Sequence, residues 1–232
     1  MTIGIICAIE AEIQAVKEYV NVISAKNIAG LDFYMGTMSG QNVVLVRSGM
    51  GKVNAAVCTQ ILIDMYPVDM IINVGIAGAI APDLKIGDIV ISDDLVQHDV
   101  DATAIGDEPG ALFGSETTYL KADDQLDKFT YMAAEELGYS ISIGRIASGD
   151  QFISSPEAKE RIWKTFKAKC CEMEGAAIAQ TCFLNKIPFT VIRAISDNAD
   201  EGTEINYERF MRESALKAAC LVKKILELIS DQ

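Results

Sequence analysis

A chain of 232 residues carries 20 basic and 33 acidic side chains, a formal charge of −13, and half of its residues are hydrophobic. This balance excludes the basic footprint of a nucleic-acid binder, and it disfavours anionic membranes and highly charged phosphate substrates. No apolar run approaches the ~20 residues of a membrane span, and Met1-Thr2-Ile3-Gly4-Ile5 lacks the basic region and cleavage site of a signal peptide.

The predicted elements alternate along the chain. Thr2 to Ile9 reads as a buried strand, and Glu10 to Val20 has helical spacing. Phe33 to Ser39 and Asn42 to Arg47 read as a hairpin turned at Ser39-Gly40-Gln41. Lys52 to Met65 is a helix, with Pro67 marking its end. Met70 to Val74 is another buried strand, closed by a tight Gly75-Ile76-Ala77-Gly78 turn. Ile86 to Ser92 and Asp94 to Gln97 read as strands, and the poorly patterned stretch 99–120 as a loop. Asp123 to Leu137 is a helix with Gly138 just past its end, and Ser140 to Ala147 is a strand. Pro156 opens a helix, with the Ser154-Ser155 pair as its cap. Met173 to Asn185 is a helix, Phe189 to Ile195 a strand and Tyr207 to Ile229 a long final helix. Alternation without a linker predicts one α/β domain over residues 1–232 with a largely central sheet.

Ligands of such sheets gather where strands end. The exits here carry acids: Glu10 and Glu12 after the first strand, Asp150 after Ser148-Gly149, and Asp197 after Ser196. Glu172 and Glu174 precede a small-residue helix. On a helix, positions i and i+2 do not share a face, so at most one of Glu10 and Glu12 points into a site. If 172–174 is extended, its two glutamates share a face and Met173 takes the other; if the helix starts early, they diverge.

Other chemistries fit less well. Ser48-Gly49-Met50-Gly51-Lys52-Val53 is not a phosphate loop, because Val46 stands where the first glycine belongs and Val53 where a hydroxyl belongs. Asn73 breaks the dinucleotide pattern ending at Gly78. Both segments still read as strand-to-helix turns that let backbone approach a ligand. The single histidine, His98, lacks a serine elbow and reads as structural. The cysteines at 7, 58, 170, 171, 182 and 220 contain no C-x-x-C pair, and the adjacent Cys170 and Cys171 suit no ordinary disulfide. They read as reduced core residues of a cytoplasmic protein, with no metal or cofactor expected.

Several segments together resemble the bacterial 5′-methylthioadenosine/S-adenosylhomocysteine nucleosidase family of the purine nucleoside phosphorylase superfamily. They are Ile5 to Glu12, Ser48 to Ala56, Gly87 to Val90, Ser148 to Ile153, Glu172 to Ala179 and Arg193 to Asp197, in family order from Ile3 to the last helix. The resemblance implies a three-layer α/β/α sandwich with a central mixed sheet, a homodimer, and hydrolysis of the bond between adenine N9 and the ribose. It implies Asp197 as general acid at adenine N7, kept protonated by desolvation and held by Ser196. Glu12 is then the base that activates water, and Glu174 the acceptor of the ribose 2′ and 3′ hydroxyls. Phe152 stacks on adenine, the Ile153 backbone reads the purine edge, and Met50 and Met173 pack on the ribose and the sulfur arm. Ile76, Ala77, Gly78, Glu172 and the aromatic Tyr207 complete the substrate-binding set. Ala102, Ile105 and Phe113 line the thioalkyl pocket from the partner subunit. Ile76 departs from the family, which often has a small hydroxyl residue there, and this changes how water is positioned.

Four readings follow for the reaction. A phosphorylase needs cations for phosphate, usually arginines at the strand exits. Glu12 holds the first exit, and Arg47 and Arg193 read as structural pairs, so water is the expected nucleophile. A futalosine-type hydrolase and a catalytically silent nucleoside binder remain as alternatives.

Overall fold

A computed structural model describes residues 1–112, 117–199 and 207–230, with only the backbone for 207–209. Its strands are β1 (Thr2–Cys7), β2 (Asn21–Ile28), β3 (Leu31–Met38), β4 (Gln41–Arg47), β5 (Met70–Ala79), β6 (Ile89–Gln97), β7 (Leu120–Lys121), β8 (Ile141–Ser148), β9 (Cys170–Glu172) and β10 (Phe189–Asp197). Its α-helices are α1 (Glu10–Lys17), α2 (Lys52–Met65), α3 (Asp124–Glu136), α4 (Pro156–Phe166), α5 (Gly175–Asn185) and α6 (Tyr207–Ser230).

All ten strands join one mixed sheet. The run β2-β3-β4-β1-β5 continues through β9, β8 and β6 to β10, which also pairs with β5. One half of the sheet therefore curls into a closed ring, and the other half extends as an open edge. Helices cover both faces, the three-layer α/β/α arrangement expected. Strand alternation builds this. Ile3, Ile5 and Cys7 of β1 pack into a core with α1, α3 and α6, while Ile6 packs into the core with α2 and α5. Each fully buried Ile, Val or Leu stabilises the fold by ~1.5–3 kcal/mol over exposure.

The caps follow side-chain chemistry. The Asp123 carboxylate accepts from the N–H groups of Gln125 and Leu126, both at 3.0 Å, at the start of α3. Ser155 Oγ accepts from Ala158 N–H at 3.2 Å ahead of Pro156. Three expectations need correction. Gly75 to Gly78 is no turn: β5 runs straight through it to Ala79, hydrogen-bonded to β10. The two strands expected between Ile86 and Gln97 form one, β6, from Ile89 to Gln97, with a register shift between Ser92 and Leu95. β2, β7 and β9 have no counterpart among the predicted elements. β2 is exposed from Asn21 to Asn27, so no apolar alternation marks it.

Candidate active site

β1, β4, β5 and β10 run parallel, so their carboxyl ends share one edge of the sheet. A cavity opens there, with about 570 Å³ of space counting its open mouth. It is lined by Glu12, Met50, Ile76, Ala77, Gly78, Phe152, Ile153, Glu172, Met173, Glu174, Ser196 and Asp197, and also by Ala8, Ile9, Gln151 and Cys171. The structure thus brings together twelve of the predicted site residues. The last four were not singled out, though each is next in sequence to one that was or to a strand exit.

Glu12 sits in the first turn of α1 and turns back over the helix start. Its Oε2 accepts from Ala8 N–H at 2.7 Å and Ile9 N–H at 3.0 Å, and its Oε1 accepts from Ile76 N–H at 3.0 Å. Glu10 points away and pairs with Arg47 on the surface at 3.2 Å. Burial raises the Glu12 pKa above the usual carboxylate range, opposed by Arg193 and by the three backbone donors.

β5 makes room for the acids. A Cβ on Gly75 would stand 2.5 Å from Glu12 Oε1, and one on Gly78 would stand 2.8 Å from Asp197 Oδ1. The two glycines serve close approach, not a turn. Facing them, the β10 register shifts between Ile195 and Asp197. Such a bulge re-aims the next side chain, and here it sets Asp197 opposite Gly78. Asp197 Oδ1 accepts from Ala199 N–H at 2.8 Å, and Ser196 Oγ donates to Oδ2 at 2.9 Å.

The two glutamates before α5 divide their work. Glu172 Oε2 accepts from Glu174 N–H at 3.2 Å and from Gly175 N–H at 2.7 Å, which caps the helix. The same carboxylate is bound by Ser148 Oγ and by Arg193 Nη2. Arg193, 1% exposed, is fixed further by Asn73 Oδ1 at 2.5 Å and Ile192 O at 3.0 Å. It is a buried structural cation, as the sequence suggests. Because Glu172 caps the helix, the Glu174 side chain is released, and its Oε1 accepts from Gly51 N–H at 2.8 Å. Burial first, then the charge of Glu172, push the Glu174 pKa up to about 8. Strand alternation does not separate Met173 from these acids. β9 ends at Glu172 and α5 begins at Gly175, and the bend between them turns all three residues to the cavity.

Phe152 and Met50 stand at the rim, 57% and 61% exposed. Cys171 is no nucleophile, since burial holds its thiol pKa well above the ordinary value. His98 packs under Gly149, away from the lining residues. Ala102 is buried and Ile105 is 78% exposed on the short helical turn Thr103–Ile105; neither lines this cavity. Phe113 and the Tyr207 side chain lie outside the described residues.

Known proteins share this fold. A model of the phosphorylase superfamily matches residues 2–227. A 5′-methylthioadenosine/S-adenosylhomocysteine nucleosidase of Tolumonas auensis is 39% identical over 98% of this chain and 99% of its own length. The structure of the Neisseria meningitidis nucleosidase in complex with methylthio-immucillin-A has a TM-score of 0.94 and 38% identity, covering 98% of this chain and 99% of that one. A futalosine hydrolase of Helicobacter pylori has a TM-score of 0.94 at 33% identity, with 98% of each chain covered. The chain belongs to the phosphorylase superfamily, and within it to the 5′-methylthioadenosine/S-adenosylhomocysteine nucleosidases.

Proposed function

We propose that this protein hydrolyses the N-glycosidic bond of 5′-methylthioadenosine and S-adenosylhomocysteine, releasing adenine and the corresponding thioribose with water as nucleophile. The observation that carries this reading is the convergence of Glu12, Glu174 and Asp197, from three separate segments, on one cavity with apolar walls. Adenine leaves poorly as an anion, so Asp197 gives a proton to N7 while Ser196 orients the carboxyl. Glu12, held by three backbone N–H groups, positions and deprotonates the water. Glu174, in its ionised form, accepts the ribose hydroxyls, and its charge favours the cationic, oxocarbenium-like transition state over the neutral substrate. Phe152 stacks on the base, the Ile153 backbone reads its edge, and Met50 and Met173 hold the ribose and sulfur arm.

Water is favoured over phosphate by the pairing of nearby cations. Arg193 is engaged by Glu172 and Asn73, Lys52 by Asp99, and Arg47 by Glu10. The protein works as a homodimer in the cytoplasm, in the salvage of methionine. Support for the dimer comes from apolar side chains left at the surface, among them Met50, Val53 and Ile105 at 61%, 72% and 78% exposure. Ala102, Ile105 and Phe113 of a second copy then complete the thioalkyl pocket.

The test is adenine release from methylthioadenosine with and without phosphate. Equal rates support the hydrolase. Strict phosphate dependence means a phosphorylase, and binding without release means a silent module. Futalosine as a parallel substrate separates the remaining hydrolase reading.

A further inference from the structure

The Gly51 N–H that holds Glu174 belongs to the turn between β4 and α2, and this turn is tied down from outside the cavity. Lys52 N–H donates to Asp150 Oδ1 at 2.7 Å, and Lys52 Nζ donates to Asp99 Oδ1 at 2.6 Å. Asp99 Oδ2 in turn accepts from Asp150 N–H at 2.9 Å. The three residues form a closed ring that joins the ends of β4, β6 and β8. Lys52 Nζ also donates to Gln97 Oε1 at 3.0 Å, and Gln97 Nε2 to Gln180 Oε1 at 2.6 Å. Gln180 lies on α5, the helix that Glu174 immediately precedes. Both ends of the Gly51–Glu174 hydrogen bond are thus anchored to one ammonium group.

Exposed ion pairs contribute little, but both side chains of this pair are only 16% exposed, and each makes further hydrogen bonds. The Lys52 and Asp150 N–H contacts outweigh the effect of burial and keep the Asp99 pKa below its usual value. Gly51 is at φ 96°, a conformation few other residues adopt, and a Cβ there would stand 3.1 Å from Asp150 Oδ1. The turn therefore has one shape, set by its neighbours.

We propose that Asp99 is a positioning residue for the glycosidic cleavage: through Lys52 and Asp150 it locks the turn that aims Gly51 N–H at Glu174. This rests on the reading of Glu174 as the ribose anchor. Asp99→Asn turns an amide N–H₂ toward Lys52 Nζ and loosens the ring without touching the cavity.

The test is a double-mutant cycle on kcat/KM for methylthioadenosine with Asp99→Asn, Glu174→Gln and both together. Asp99→Asn is expected to lower kcat/KM about tenfold, since small misplacements of a binding group are costly. Added to Glu174→Gln it has little further effect, because the charged acceptor that the turn positions is gone and only an amide oxygen is left for Gly51 N–H. Lys52→Gln repeats the pattern from the other end of the pair and covers the case of an unfolded Asp99 variant. Losses that multiply in the double variant overturn the Asp99 link and leave the role of Glu174 intact. Wild-type activity in Glu174→Gln overturns both.

Discussion

The two ends of β10 carry the same pair of groups and do different things with it. At the start, Thr190 Oγ1 donates to Asp127 Oδ1 at 2.8 Å. At the end, Ser196 Oγ donates to Asp197 Oδ2 at 2.9 Å. Asp127 lies in the first turn of α3 with Asp123, Asp124 and Asp93 nearby. Burial, then these like charges, push its pKa up to about 7 despite the Thr190 hydrogen bond. Its setting is a crowded helix start. Asp197 instead faces a cavity with an aromatic rim, three further carboxylates (Glu12, Glu172 and Glu174) and Gly78 in its wall. A perturbed or buried acid alone is therefore no site. Convergence with other groups on a space that admits a ligand makes one.

The largest effect expected is at the cavity end. Asp197→Asn should lower kcat by ~10²–10⁴-fold with the thermal unfolding profile unchanged; near wild-type turnover would remove Asp197 from the chemistry. Glu12→Gln cannot take a proton; its single amide oxygen can still accept from Ala8 and Ile9 N–H, while the contact with Ile76 N–H is lost. Substrate should bind with little change while kcat falls by ~10²-fold or more. A large rise in KM with normal kcat would contradict the base role.

The middle of β10 gives the next prediction. Arg193→Met leaves the Glu172 carboxylate buried without its cation and weakens the cap of α5. Denaturant unfolding should report a loss of ~3–5 kcal/mol, and a loss below ~1 kcal/mol would mean that Glu172 is satisfied by its other donors.

The smallest effect is at the far end. An acid whose pKa rises on folding gives its full stability below the unfolded value and loses it as pH climbs. For Asp127 that window runs from the ordinary 3.8 to about 7. Asp127→Asn should therefore be more stable than wild type at pH 8, on the order of 1 kcal/mol. Near pH 4 the two should coincide, and activity should be unaffected. Equal melting temperatures at both pH values would show that the Thr190 hydrogen bond offsets the burial.

What the sequence made legible follows the same physics. Central strands and core helices announce themselves by apolar runs and periodicity, and α2 begins and ends where expected. β2 is exposed on both faces and leaves no pattern, while β7 and β9 are too short to show a period. Gly75 and Gly78 read as a turn because glycine usually punctuates; only the folded chain reveals the carboxylates they accommodate. The three acids were legible from their place at element ends and from the family resemblance. The β10 register shift was not, since it depends on β5. Nor was the Lys52–Asp99 pair, whose members lie 47 positions apart.

The central claim is the division of labour among the three carboxylates, and a crystal structure with a non-hydrolysable methylthioadenosine analogue tests it most directly. Purine N7 should lie within ~3 Å of Asp197, the ribose hydroxyls on Glu174 and a water between Glu12 and the anomeric carbon. A purine lodged against Glu12, or a ribose whose hydroxyls miss Glu174, would contradict it.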